Sequence, residues 1–348
     1  MILVNGQFSQ EESYSQLAHA AWNGWTFADT IFPCFLFIVG VSLPLSTASR
    51  AARGEDRARL LGHALRRSLL IFGCGVVIDY LRVPSHEFPF VGFQDHLQLT
   101  GVLQKIAVCY LAAFHIYIWI GLRGVIGGIV GLNVLYLSLL YFYPVPECGP
   151  GSLAASCNFP GYLDEIVIDG FRSNSTAYDP DGVGAVLPAI TSVLFGVLAG
   201  ELLRSEWRPR QQLPRLLGGG IVLIASGELL STWVPINKQL WTTSFAVFMA
   251  GLAATGLACS IWLVDVRPLR GWFRLLEIFG LNALAAYLIS RLAANVPRVH
   301  FMGKSLYADV LARAASPPNA SLLFAMVVLA VVYLAVWLMD RRGWYLKL

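Results

Sequence analysis

Hydrophobic positions along this chain gather into long unbroken runs, and the polar residues lie mostly between them. The runs cover about 26–48, 61–81, 101–120, 124–143, 184–203, 216–233, 242–263, 275–293 and 320–340. Most are about 20 residues long, enough at roughly 1.5 Å of rise per residue to cross about 30 Å of hydrocarbon. They are continuous rather than alternating with period two, so they predict helices and not barrel strands. The opening Met1-Ile2-Leu3-Val4-Asn5 reads as the tail of one more helix, whose beginning is expected upstream. The predicted fold is all-α: a polytopic membrane bundle of about ten transmembrane helices, the first truncated, forming a single domain over 1–348. No internal repeat of the inverted-transporter kind is evident.

Composition agrees: 56% of residues are hydrophobic, 13% are charged, and mean hydropathy is +0.62. Soluble domains run near a quarter charged, so a soluble enzyme is excluded. The basic residues then give sidedness. Loop 49–67 carries Arg50, Arg53, Arg57, Arg59, Arg66 and Arg67, and loop 204–215 carries Arg204, Arg208, Arg210 and Arg215. Loop 264–274 adds Arg267, Arg270 and Arg274, the tail adds Arg341, Arg342 and Lys347, and Arg123 sits in a tight turn at 121–123. Alternate threading puts all of them on one side, expected to be cytoplasmic. The net charge of +4 is thus explained by topology and needs no nucleic acid. No cleavable signal-peptide pattern is visible at the start.

The opposite side receives 6–25, 82–100, 144–183, 234–241 and 294–319. The largest excursion, 144–183, sets Glu147, Asp164, Glu165, Asp169, Asp179 and Asp181 against Arg172 alone. It also holds Cys148 and Cys157, which could pair if that side is oxidising. The other four cysteines, Cys34, Cys74, Cys109 and Cys259, fall inside spans, where a thiol behaves as a small apolar group.

Unusual polar residues collect on that same side. His19 precedes Trp22-Asn23-Gly24, and an imidazole ordinarily changes charge near neutral pH, which suits a general base. Asp29 opens the first full span, where it either complements the helix dipole or orients His19. The Asn5 amide could donate to a developing oxyanion. Tyr178-Asp179-Pro180-Asp181-Gly182 predicts a helix start with Asp179 as N-cap and Pro180 at the first position. In Pro235-Ile236-Asn237-Lys238-Gln239-Leu240-Trp241, Trp241 reads with Trp233 as an interfacial belt. Gln104 and Lys105 stand one turn into a span, where Lys105 either snorkels outward or faces a polar cavity with Gln104. Asn282 and Glu228 are the remaining polar residues in apolar surroundings. No cluster has the spacing of a metal site.

Taken together these motifs resemble the heparan-α-glucosaminide N-acetyltransferase family and its bacterial relatives. The matching pieces are His19 with Trp22-Asn23-Gly24, Ala28-Asp29 with Phe32-Pro33, Gly101-Val102-Leu103-Gln104, Tyr178 to Gly182, Pro235 to Lys238 with Trp241, and Gly280-Leu281-Asn282. The loop Cys148…Cys157-Asn158…Gly161-Tyr162 also fits. They follow the family order along nearly the whole chain. The resemblance implies acetyl-CoA as co-substrate from the cytoplasmic face, an amino-sugar acceptor on the other, His19 as the active-site residue and Asn5 beside it. A short first helix and the absence of the large N-terminal domain of the animal enzymes are the departures expected from this resemblance.

The expected function is therefore a transmembrane acetyltransferase, moving an acetyl group from cytoplasmic acetyl-CoA to a glucosamine-type amine or glycan amine at the outer, periplasmic side of a bacterial inner membrane. His19 would deprotonate the attacking amine or carry the acetyl as an acyl-imidazole. Asp29 would hold its tautomer and Asn5 would polarise the carbonyl. Asn23, Gln104, Lys105, Asp179, Asp181, Asn237, Lys238, Trp241 and Asn282 are the expected binding residues, with Gln104, Lys105 and Asn282 on the wall of a cytoplasmic vestibule. Arg66 and Arg67, nearest a helix start, are assigned to the CoA phosphates. No metal and no nucleic-acid partner are expected, the lipid bilayer is a partner, and a homodimer is open. The alternative is an amino-sugar permease without acyl transfer.

Overall fold

The computed structural model describes residues 1–7, 11–80, 98–168, 178–267, 270–293, 307 and 311–346. In chain order it contains α1 (Ile2–Asn5), α2 (Phe27–Ala51), α3 (Arg57–Tyr80), α4 (Val102–Phe142), a hairpin of β1 (Leu153–Ala154) and β2 (Cys157–Asn158), and α5 (Phe159–Ile168). After a short 3-10 turn at Val183–Ala185 come α6 (Val186–Arg204), α7 (Pro209–Ser231) and α8 (Thr243–Ile261). The chain ends with α9 (Arg270–Leu281), α10 (Ala283–Ala293), α11 (Ala312–Ala314) and α12 (Pro317–Arg341). Among the described residues seven helices are long and apolar enough to cross a membrane, plus a bent pair. The protein is an all-α polytopic membrane bundle.

Two compact units are present. One comprises Trp22–Gly24 and Phe32–Val266. In it α4 packs against α3 and α6, and α7 against α8. The 41-residue α4 is about twice the length a bilayer needs. It leaves helical geometry at Gly121, at φ 70° and ψ −157°, a conformation that a β-carbon would strain. The spans expected at 101–120 and 124–143 are its two arms. Small residues let helices approach: a β-carbon on Gly196 would overlap the Phe37 carbonyl, and one on Gly40 that of Val193.

The excursion at 144–183 is more ordered than its sequence implied. Cys148 and Cys157 are disulfide-bonded, with Cα atoms 6.3 Å apart. Tyr136, Leu140, Val145 and Phe159 form a small core beneath the hairpin. Asp164, taken from sequence as one of several loop acids, lies on α5 and is fully buried. Asp169 and Arg172 lie outside the described residues, as do 82–97 of the second outer loop and 294–306 of the last.

The other unit comprises Met1–Ala21, Trp25–Ile31 and Arg267–Leu348. Here α1 packs on α12 and α10. The segment after α1 is tied to the start of α12 by Ser321 Oγ donating to Gln7 Oε1 at 2.7 Å. Tyr14 Oη also donates to Asn319 Oδ1, at 2.5 Å. Ile278, Ala286, Phe324, Val328, Val332 and Val336 are buried together. The continuous span expected at 275–293 is not what forms: α9 and α10 meet at 83° across Asn282. The Asn282 carbonyl accepts from Ala286 N at 2.8 Å, and its Oδ1 accepts from Leu346 N at 3.3 Å. The first of these is the opening backbone bond of α10; the second is a side-chain bond to backbone outside the helix, the kind with which an asparagine competes with helix continuation.

Candidate functional site

The site residues expected from sequence divide between the two units. In the one holding the chain's first residues, Thr26 precedes α2 and Asp29 stands three residues on, the spacing of a capping box. Asp29 Oδ2 accepts from Thr26 N at 3.0 Å and lies 3.1 Å from Thr26 Oγ1. It also accepts from Ala20 N at 3.0 Å. Oδ1 meets His19 Nδ1 at 2.7 Å. The carboxyl is 1% exposed and the imidazole 28%. An ionised carboxylate only accepts, so Nδ1 carries the hydrogen and the lone pair belongs to Nε2. One aspartate thus starts the helix and fixes the tautomer and plane of the ring. The Thr26 hydroxyl donates to the Ala18 carbonyl at 2.7 Å, fastening the loop on the other side of His19.

Asn5 ends α1 half-buried. Among the described residues no hydrogen bond joins it to His19. Asn282 is fully buried at the bend between α9 and α10, and its Nδ2 finds no hydrogen-bond partner among the described residues.

In the unit containing α3 to α8, the first turn of α4 is lined by buried polar groups. Gln104 Nε2 donates to Asp79 Oδ2 at 3.0 Å. Lys105 Nζ donates to the Pro180 carbonyl at 2.9 Å and lies 4.5 Å from the centre of the Trp241 ring. Lys105 is 2% exposed, so it does not snorkel outward. Thr100 Oγ1 donates to Asp179 Oδ2 at 2.6 Å. Asp179 Oδ1 accepts from Asp181 N at 2.9 Å, a local turn. The expected helix start at Pro180 is therefore not formed. Helical turns begin at Val183, and the Asp179 carboxylate caps its own turn and takes the Thr100 hydroxyl instead.

Asp164 Oδ1 accepts from Gly184 N at 2.8 Å, and a β-carbon on Gly182 would overlap its carboxyl. Burial pushes its pKa up to about 6, the Asp179 charge adding to the shift and the Gly184 amide and Lys105 opposing it. Asp164 Oδ2 and Gln104 Oε1 are buried acceptors without a hydrogen-bond partner among the described residues. Each such group carries a desolvation penalty that a bound donor would relieve.

Asn237 is the knot of the loop before α8. Its Oδ1 accepts from Leu240 N at 2.9 Å, and its carbonyl accepts from Thr242 N at 3.1 Å. Its Nδ2 donates to Asn23 Oδ1 at 3.1 Å, while Gly24 N donates to the Ile236 carbonyl at 2.7 Å. These bonds hold Trp241 at φ 49°, a left-handed conformation that costs a non-glycine residue roughly 1 kcal/mol. Trp241 N donates to the Lys238 carbonyl at 3.0 Å. Trp241 is fully buried, edge-on to Phe32 and Phe245, with Nε1 donating to Ser192 Oγ at 3.2 Å. The belt reading thus fails for Trp241, while Trp233 is exposed.

Arg66 and Arg67 are not at a helix start either: α3 begins at Arg57 and carries them in its third turn, Arg67 stacked on Tyr110 at 5.2 Å. Sequence reasoning passed over Asp79, Thr100 and Thr26. Thr26-Phe27-Ala28-Asp29 was the available signal for the last.

A profile described as heparan-alpha-glucosaminide N-acetyltransferase, catalytic, matches residues 9–228. Two relatives carry the name heparan-alpha-glucosaminide N-acetyltransferase. The mouse protein is 28% identical over 326 residues, covering 79% of this chain and 49% of its own length. The human one is 27% identical, covering 79% and 48%. The chain thus spans about half the length of these relatives. With the matched region including His19, Asp29, Lys105 and Asp179, the chain belongs to the heparan-alpha-glucosaminide N-acetyltransferase catalytic family.

Proposed function

We propose that this protein is a membrane-embedded acetyltransferase that uses acetyl-CoA and acetylates the amine of an amino sugar. The observation that carries the reading is the His19–Asp29 pair: a partly exposed imidazole held at Nδ1 by a buried carboxylate 2.7 Å away. A thioester is already activated, so the protein must supply position, a base and stabilisation of the developing oxyanion. His19 Nε2 takes the proton of the attacking ammonium group. The freed amine nitrogen then forms the new C–N bond as the C–S bond breaks. The second proton on that nitrogen goes to the departing sulfur, so that CoA leaves as the thiol, and the imidazolium returns its proton to water. Asp29 steadies the imidazolium formed in between, and Asn5 polarises the carbonyl.

Gln104, Lys105, Asp179 and Asp181, with Asn23, Asn237, Lys238, Trp241 and Asn282, are assigned to binding. The unpaired acceptors Gln104 Oε1 and Asp164 Oδ2 favour a ligand rich in O–H and N–H donors, as an amino sugar is. Arg57, Arg59, Arg66 and Arg67 on α3 would meet CoA phosphates through charge. In this reading the arginine-rich loops face the cytoplasm of a bacterial cell and His19 the periplasm.

The test uses purified protein in liposomes with isotopically labelled acetyl-CoA and glucosamine. N-acetylated product with stoichiometric thiol release is expected. Glucosamine uptake that needs no CoA and yields no product would replace the reading with a permease.

A further inference from the structure

We propose that α9 does not cross the bilayer but lies along its surface, with its apolar side in the acyl chains and its charged side in the headgroups. The partner is the phospholipid interface itself.

Length is the first argument. Twelve residues of α9 and eleven of α10 reach about 18 and 16 Å, each short of about 30 Å of hydrocarbon. The 83° bend prevents the two from adding into one straight span.

Level is the second. Arg274 donates to Asp340 Oδ2 at 2.8 Å, and Asn282 accepts from Leu346 N. Asp340 is next to last in α12, itself long and apolar enough to cross the membrane, so α9 is tied at Arg274 to the end of a span and, just past its own last residue, to the tail that follows that span. That terminus has the marks of an interface: Arg341 lies 4.1 Å from the Trp337 ring centre, and Arg342 lies 5.2 Å from that of Trp344. Arginine snorkelling beside tryptophan is the pattern of the headgroup boundary.

Facing is the third. Positions 274 and 277 are three apart, which puts Arg274 and Glu277 on one stripe. Arg274 and Glu277 are paired at 3.0 Å and exposed. Ile278 points into the core with α12, while Leu275, beside it around the helix, and Leu276, on the far side from it, stay 47% and 59% exposed. One charged stripe opposite exposed leucines is the arrangement of an in-plane helix.

The test is a cysteine scan of 273–281 in liposomes. Cys34, Cys74, Cys109 and Cys259 are replaced by alanine, and a membrane-impermeant maleimide is applied to both faces. Labelling of Arg274→Cys and Glu277→Cys with at least tenfold slower labelling of Leu275→Cys and Leu276→Cys is expected. Protection throughout would mean a crossing helix, labelling throughout a helix in water, and either overturns the proposal. In case the protein without its four unpaired cysteines fails to fold, a photo-crosslinking residue is placed at 276 or 277 in the otherwise native chain. Lipid adducts at 276 and not at 277 are expected, and equal yields, or none at either, contradict it.

Discussion

His19 Nδ1 and Asp29 Oδ1 stand 2.7 Å apart, and the same carboxylate closes the first turn of α2 through the Thr26 backbone amide. Helix start and imidazole orientation therefore depend on one side chain. Asp29→Asn keeps the volume but loses an acceptor-only group, leaving at least one of the donors His19 Nδ1, Ala20 N and Thr26 N unmet. We expect kcat to fall about 100-fold or more, with the KM for acetyl-CoA nearly unchanged. Stability should fall by about 1–3 kcal/mol. A kcat/KM assay beside thermal unfolding in detergent reads both, and an unchanged kcat would remove Asp29 from the mechanism.

Lys105→Met tests the buried cation. It would leave the Pro180 carbonyl without its donor and the Trp241 face without its charge. A hydrogen bond from a charged group is worth about 1.5–3 kcal/mol, so a loss of about 2 kcal/mol is expected in denaturant or thermal unfolding. No change in the midpoint would show that Lys105 stabilises nothing here.

Asp164 sets a pH dependence. Its folded pKa of about 6 lies above the usual carboxylate value near 4, so the folded protein binds more protons than the unfolded chain between those limits. Stability from this group is present below about pH 4 and is lost as pH rises through about 6. Asp164→Asn keeps an acceptor for Gly184 N and removes the titration. The variant should gain stability relative to wild type as pH is raised from 5 to 7, by on the order of 1–3 kcal/mol. A parallel pair of stability curves over that range would refute the assignment.

Gly196 lets α6 meet α2 with no room for a side chain. Gly196→Ala should destabilise by about 1–3 kcal/mol through overpacking, read as a lower unfolding midpoint. Gly218→Ala, where a β-carbon meets open space, should be near neutral or slightly stabilising. Equal effects of the two would deny the close approach.

Long apolar runs made the helices legible, because length and continuity alone decide whether a segment can span hydrocarbon. His19 and Asp29 were legible together because both flank the start of one such run. Lys105 and Gln104 stood out as polar groups inside another. What stayed hidden depended on tertiary packing. Asp164 looked like one of several solvated loop acids because nothing local reveals that α5 buries it. The Asp179-Pro180 pair has every local mark of a helix start, yet the Thr100 hydroxyl and the backbone of Asp181 take its carboxylate instead. Asn282 ends a helix inside an apolar run because its side chain meets the backbone at Leu346, a partner 64 residues away.

The most direct test of the central claim is the initial rate of glucosamine acetylation by wild type and His19→Ala, in liposomes with saturating labelled acetyl-CoA. The account predicts a fall in kcat of about 10²–10⁴-fold with the protein still folded, since a positioned base contributes that much. A His19→Ala variant that acetylates glucosamine at the wild-type rate would contradict it.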